Sequence, residues 1–225
     1  MLGKLNRRIR HPENYTDGER MEPIRVLYDI IKKSGDISVE ISGKEHILSE
    51  GGFILYSNHQ GLFDAVAIAG EIHTPVSPVI NMEGMSDPLL KKFFACTDAL
   101  PVDRKDFRQS FQVLDEVKRR VEKGKVCLIF PEGKRNTQGN FLMEFQAESF
   151  DPAVETRCPI IPVALVDSFK PFDTDAEGHI TVYIHILKPL LWIEYARMTT
   201  AEIVQTVQER IRKEMASILM KVRWL

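Results

Sequence analysis

Short apolar runs alternating with segments of helical period are the feature that most limits what this 225-residue chain can fold into. Ile37-Ser38-Val39-Glu40-Ile41 alternates apolar with polar and predicts a half-buried strand, whereas Gly52-Phe53-Ile54-Leu55-Tyr56 predicts a strand covered on both faces. Further apolar runs stand at Val79-Ile80, at 126–130, at 160–166 and at 180–186. Between them lie amphipathic patterns. Residues 22–33 place Ile24, Leu27, Tyr28 and Ile31 at helical spacing; residues 106–123 do the same with Phe107, Phe111, Leu114, Val117 and Val121, ended by Gly124. A last helix begins near Thr199-Thr200 with Glu202 as a partial capping signal and carries Ile203, Val207, Ile211, Met215, Ile218 and Val222 on one face. Strands and helices alternating at this interval predict an α/β fold. We expect a single domain over 36–225, with a central mixed, mostly parallel sheet flanked by helices, preceded by a basic amphipathic helical segment over 1–35.

The chain is long enough to bury one proper core, with 44% hydrophobic residues. A formal net charge of −2 removes any whole-chain argument for nucleic acid. The charge is unevenly placed: residues 1–35 hold eight Lys or Arg against five acids, and residues 188–225 hold seven against four. Both ends are basic around an acidic middle. Cys96, Cys127 and Cys158 have no close partner in sequence and read as small buried residues of a reducing compartment. The basic N-terminus leads into no apolar run of signal-peptide length, so secretion is not expected. Nowhere do about 18 apolar residues follow one another, so any membrane contact is expected to be peripheral.

Chemistry concentrates where apolar runs stop. The run ending at Tyr56 is followed by Asn58-His59-Gln60-Gly61-Leu62-Phe63-Asp64, which brings His59 to the carboxyl edge of a sheet, where ligands bind. On one continuous helix an i+5 spacing turns by about 140° and would splay His59 from Asp64. The two meet only if His59 sits in a turn before the helix that carries Asp64, and Gly61 eases such a turn. The carboxylate then holds one imidazole nitrogen while the other faces substrate, an oriented general base. The plain alternative is a helix-capping Asp beside an exposed His.

A second cluster, Phe130-Pro131-Glu132-Gly133-Lys134-Arg135-Asn136, also follows a buried run. Lys134 and Arg135 suit a phosphate, and Glu132 suits hydroxyls or the Arg itself; a solvated turn of mixed charge is the alternative. Leu100-Pro101-Val102-Asp103-Arg104-Lys105-Asp106 reads alone as a helix start and, beside the others, supplies Arg104 and Lys105 as further phosphate-binding cations. Cys158-Pro159-Ile160-Ile161-Pro162 offers shape: two prolines around a β-branched pair hold an extended path, a wall for a long apolar group.

In this order, these four segments resemble the four blocks of the glycerolipid acyltransferase superfamily, and most closely 1-acyl-glycerol-3-phosphate acyltransferases of bacterial type. Asn58-His59 through Asp64 matches the Asn-His-x4-Asp block and Val102-Asp103-Arg104 the block ending in Asp-Arg. Phe130-Pro131-Glu132-Gly133-x-Arg135 matches Phe-Pro-Glu-Gly-Thr-Arg, and Pro159-Ile160-Ile161-Pro162 matches Pro-x-x-Pro. The resemblance implies an acyltransferase passing an acyl chain from a thioester, carried by coenzyme A or acyl-carrier protein, to the free hydroxyl of a lysophospholipid. It implies His59 as base, Asp64 as its orienter, and Arg104, Glu132, Gly133 and Arg135 as glycerol-phosphate binders. Lys105, Lys134 and Asn58 are counted with them. Such direct attack needs no metal and no bound cofactor beyond the acyl carrier.

The chain departs from the pattern at Lys134 and Asn136, where relatives carry Thr and Ser, and at Phe145-Gln146-Ala147-Glu148, where they show Phe-Lys-x-Gly. These departures bear on which acceptor is taken. Another lysophospholipid or glycerol-3-phosphate therefore stays open as acceptor. A peripheral enzyme on the cytoplasmic side of the membrane is expected to dock through its basic segment 1–35; the last helix, also basic, is expected to cover the sheet, with contact to the membrane interface as the open alternative. Two rivals stay open, a phosphoesterase or other hydrolase and a non-catalytic lipid-binding protein. The first is disfavoured because no G-x-S-x-G elbow or P-loop occurs and His11, His46, His73, His179 and His185 lack metal-ligand spacing.

Overall fold

The computed structural model describes residues 2–72, 74–81, 88–103 and 105–222. Among these residues seven strands form one sheet: β1 (Ile37–Ser42), β2 (Phe53–Ser57), β3 (Val76–Asn81), β4 (Leu100–Val102), β5 (Val126–Ile129), β6 (Ile160–Val166) and β7 (Ile180–Ile186). Their order is β1-β7-β6-β2-β5-β3-β4, and every pairing is parallel except β6 with β7. The composition of each strand follows from its place. β2, β5 and β6 are buried at every residue, as strands covered on both faces must be, while β7 alternates buried with half-buried and β1 stands at the edge.

Alternate residues of β2 serve opposite faces. Phe53 and Leu55 pack with α2 (Asp17–Ser34), α3 (Phe63–Glu71) and α4 (Pro88–Cys96), whereas Ile54 and Tyr56 pack with α5 (Phe107–Glu122), α6 (Asp151–Thr156) and α9 (Thr200–Val222). α9 buries Ile203, Val207, Ile211, Met215 and Ile218, so its apolar stripe covers the sheet as read from the sequence. α5 departs from its expected stripe. Phe111 is 60% exposed, and the buried line is Val113, Val117 and Val121. The cause is angular: Phe111 lies about 120° around the helix from Val117, whereas Val113 and Val121 each lie within about 40° of it.

α2 starts at Asp17, five residues before the apolar stripe suggests, because Thr16 and Glu19 form a reciprocal capping box. Pro23 sits inside this helix and cannot donate to the Glu19 carbonyl. The Arg8 guanidinium, from α1 (Leu2–Arg10), donates to that carbonyl instead and also reaches Glu22 at 2.6 Å. Met21, Ile24, Leu27 and Tyr28 of α2 are core residues. The second half of the 1–35 segment is therefore built into the domain, and Arg8 is committed to α2.

Candidate active site

Five strands, β2 to β6, run parallel and bring their carboxyl ends to one edge of the sheet. At that edge a cleft of about 520 Å³ is lined by His59 and by the apolar residues Leu62, Ala65, Val79, Ile80, Phe94, Phe130 and Phe169. Lys134, Arg135, Asn136, Thr137, Asp173 and Thr174 are among its polar lining. A ligand with an apolar part and an anionic part fits such a lining.

His59 lies in the turn after β2, and Asp64 is the second residue of α3. The spacing demanded this separation, and it is what lets the two meet: His59 Nδ1 stands 2.7 Å from Asp64 Oδ2. The carboxylate can only accept, so Nδ1 carries the hydrogen and Nε2 is left as a base. Asp64 is fully buried, and its Oδ2 also accepts the backbone N–H groups of Gln60 at 2.6 Å and Gly61 at 2.9 Å. Gly61 is required for close approach rather than for a left-handed turn. A Cβ there would come within 2.5 Å of Asp173 Oδ2 and 2.8 Å of Phe169 Cα.

The second cluster surrounds His59 from behind. The imidazole stacks on Phe130 at 4.2 Å between ring centres. The His59 N–H donates to Glu132 Oε1 at 2.9 Å, and its carbonyl accepts the Asn136 N–H at 2.9 Å. Glu132, 4% exposed, spends its other oxygen on the Met143 N–H at 3.4 Å. Gly133 adopts φ +77° with the Gln146 side chain against it, where a Cβ would collide. Glu132 thus holds the His59 backbone, and neither it nor Gly133, both expected as glycerol-phosphate binders, is part of the cleft lining.

Asn58, also expected among the binders, stands outside the cleft lining too. It is fully buried, and its amide donates to the Leu165 carbonyl at 2.9 Å while accepting the Leu165 N–H at 2.8 Å. Both ends of its amide are thus bonded to β6. Lys134 and Arg135 do line the cleft; Arg135 pairs with Asp173 at 2.6 Å, and Asp173 also accepts the Leu62 N–H. Lys105 is exposed after β4 and is absent from the cleft lining, and Arg104 lies outside the described residues. The expected apolar wall at Pro159 to Pro162 is instead the start of the buried strand β6, with Ile160 and Ile161 fully enclosed. The substituted Asn136 is buried and holds its own loop, donating to the Phe141 carbonyl and accepting the Gln138 N–H at 2.8 Å. Gln146 and Glu148 stay outside the cleft lining.

Burial pushes the Glu132 carboxyl up to about 7, against the two amides that lower it, and the Asp64 charge adds to the rise. A carboxyl raised in the folded state binds protons more tightly there than when unfolded. Its contribution to stability is complete below about 4.5 and is lost as pH rises through about 7. We expect this residue to remove about 3 kcal/mol of stability across that range. In urea titrations from pH 5 to 8, Glu132→Gln should flatten the decline relative to wild type; parallel curves would refute the assignment.

The acyltransferase family model matches residues 38–166, more than half of the sequence, from the second residue of β1 to the end of β6. The chain belongs to the acyltransferase family and is an enzyme of acyl transfer. Similar proteins include 1-acyl-sn-glycerol-3-phosphate acyltransferase alpha of Homo sapiens, 24% identical over 208 residues, covering 91% of this chain and 71% of the relative. The 1-acyl-sn-glycerol-3-phosphate acyltransferase of Salmonella typhimurium is 23% identical over 169 residues, covering 75% of this chain and 69% of its own. Among solved structures, the 1-acyl-sn-glycerophosphate (LPA) acyltransferase PlsC of Thermotoga maritima shares the fold, with a TM-score of 0.69, 20% identity, and coverage of 88% and 81% of the two chains.

Sequence reasoning missed Gln60, Asp173 and Ser168. Ser168 follows β6 as Val166-Asp167-Ser168, the same apolar-run-then-polar-stop signature that exposed His59 and Glu132. That signal was there to be used.

Proposed function

We propose that this chain transfers an acyl group from an acyl thioester to the free hydroxyl of 1-acyl-glycerol-3-phosphate, giving phosphatidic acid. The observation that carries this reading is one cleft whose lining combines an imidazole with Nδ1 tied to a buried carboxylate, apolar side chains, and Lys134 with Arg135. His59 Nε2 takes the acceptor's hydroxyl proton as its oxygen attacks the thioester carbonyl. The C–S bond then breaks, and the thiolate receives the proton from the imidazolium. Asp64 keeps the imidazole oriented and stabilises its transient charge, while Lys134 and Arg135 bind the glycerol phosphate. Cys127 and Cys158, whose thiols burial pushes up to about 12 and about 11, lie away from the cleft lining and are poor nucleophiles, which supports direct transfer. Coenzyme A and acyl-carrier protein both suit a mechanism that uses only the thioester.

Lipid substrates require contact with the bilayer, and among the described residues no helix is long and apolar enough to cross it. A peripheral position on the cytoplasmic face fits, docked through exposed Arg7 and Arg10 of α1, with Val26 and Ile30 of α2, each 45% exposed, as apolar candidates for the same surface. Vesicles carrying lysophospholipids of different head group, with either thioester, test the acceptor by product mass. 1-Acyl-glycerol-3-phosphate should be turned over at least about tenfold faster than a choline-headed acceptor, the worth of one charge-assisted phosphate contact. Turnover indifferent to head group would overturn the acceptor, and unchanged vesicle sedimentation after charge reversal at Arg7 and Arg10 would overturn the dock.

A further inference from the structure

We propose that Ser168 is a positioning residue for acyl transfer, fixing Asp64 from β6, and that Asp167, Asn140 and Gln60 brace it there. This rests on reading His59 and Asp64 as the reacting pair. Asp64 Oδ2 is held by its own chain segment: His59 Nδ1, Gln60 N and Gly61 N. Such local bonds fix one oxygen and leave the carboxylate free to pivot about it. Oδ1 receives the Ser168 hydroxyl at 2.5 Å, from a residue 104 positions away. That bond stops the pivot and gives the second oxygen its donor in a site closed to water, where an unpaired carboxylate oxygen is costly. Asp64 and Ser168 are both fully buried. Ser168 is absent from the cleft lining and its hydroxyl is turned to Asp64, so it serves as a donor and not as a nucleophile.

The approach of Ser168 depends on a backbone feature. Asp167 stands in the left-handed region at φ 64°, turning the chain at the end of β6 so that the Ser168 N–H and hydroxyl face Gln60 and Asp64. Asn140 holds that turn from both sides, accepting the Asp167 N–H at 2.9 Å and donating to Asp167 Oδ1 at 2.8 Å. Gln60 closes the ring. Its Nε2 donates to Asn140 Oδ1 at 2.8 Å and its Oε1 accepts the Ser168 N–H at 3.1 Å; the Ser168 hydroxyl also stands 3.0 Å from that oxygen, and its single hydrogen goes to the closer, charged Asp64 Oδ1. Asn140 belongs to the loop whose Thr137 and Gly139 line the cleft, so the brace joins the cleft wall to the reacting pair.

A preorganised Asp64 matters most when His59 becomes charged, so losing Ser168 should act on turnover more than on binding. For Ser168→Ala we expect kcat to fall about tenfold to a hundredfold, the worth of a hydrogen bond to a charged group. KM for both substrates should stay within about twofold. The acidic limb of the kcat–pH profile should move to higher pH, because a carboxylate that has lost one donor draws more strongly on His59 Nδ1–H. Among the described residues, the other charged groups facing the pair are Glu132, Lys134 and Arg135 after β5, and Asp167, Lys170 and Asp173 after β6. None of them bonds the Ser168 side chain. Ser168→Thr keeps the hydroxyl and should restore the profile.

Ser168→Ala with wild-type kcat and an unmoved acidic limb would overturn the proposal. Should that variant fail to fold, half-buried Asn140→Ala at the outer end of the brace carries the test: the same limb shift, smaller in size, is expected, and no shift overturns it. His59→Ala is assayed in parallel. If it turns over like wild type, the reading of the pair falls; if it is inactive while Ser168→Ala behaves as wild type, Ser168 alone has been misassigned.

Discussion

His59→Ala is expected to lower the acyl-transfer kcat by about 10²–10⁴-fold, the usual worth of a positioned general base, while the fold and vesicle binding persist. The expectation of an intact fold follows from how His59 is held. Its bonds to the surrounding loops are made by the backbone, N–H to Glu132 and carbonyl from Asn136, and both survive loss of the side chain. The imidazole itself touches Phe130 and Asp64 only through its ring. Asp64 loses one donor and keeps Gln60 N, Gly61 N and Ser168 Oγ, so it remains satisfied in its buried site. Acyl transfer assayed at saturating substrate, with circular dichroism and vesicle sedimentation alongside, checks this. Turnover within about tenfold of wild type would show that His59 does not supply the base.

Asn58→Ala is expected to be among the most destabilising single changes near the site, costing about 2–6 kcal/mol. β2 pairs with β6 up to Ser57 opposite Val163, and there the backbone ladder stops. The Asn58 side chain continues it by one rung, meeting the Leu165 N–H and carbonyl as a neighbouring strand would. Alanine removes both partners at once and leaves two backbone groups unpaired inside a fully buried strand, the costly kind of loss. Because His59 is the next residue and Ser168 lies three beyond Leu165, kcat should fall too while KM holds. Urea unfolding measures the first effect; a loss below about 1 kcal/mol would mean that water or a shifted strand repairs the gap.

Asn58 also marks the boundary of what local sequence can show. A polar residue beside His59 at a strand end looks like a ligand contact, and only the pairing of β2 with β6, more than a hundred residues away, turns it into a structural clamp. The same holds for Glu132, whose carboxylate looks available in sequence and is consumed by the His59 and Met143 amides in the fold. What periodicity does report is burial. The continuous run of β2 reads correctly as a strand covered on both faces, the alternation of β1 as a half-buried strand, and the α9 stripe as sheet cover. The antiparallel turn of β7 against β6, the one-sided burial of α5 at Val113 rather than Phe111, and the reach of Ser168 to Asp64 depend on tertiary packing. No window of neighbouring residues carries that information.

The central claim is direct transfer through His59, and one measurement addresses it most closely. Wild-type protein is mixed with an acyl thioester and vesicles holding 1-acyl-glycerol-3-phosphate, and lipid product, released thiol and intact protein mass are followed together. We predict phosphatidic acid and free thiol appearing one for one, with no acyl adduct on the protein at any time. An acylated protein that forms and decays at the rate of turnover, or thiol release without phosphatidic acid, would contradict it.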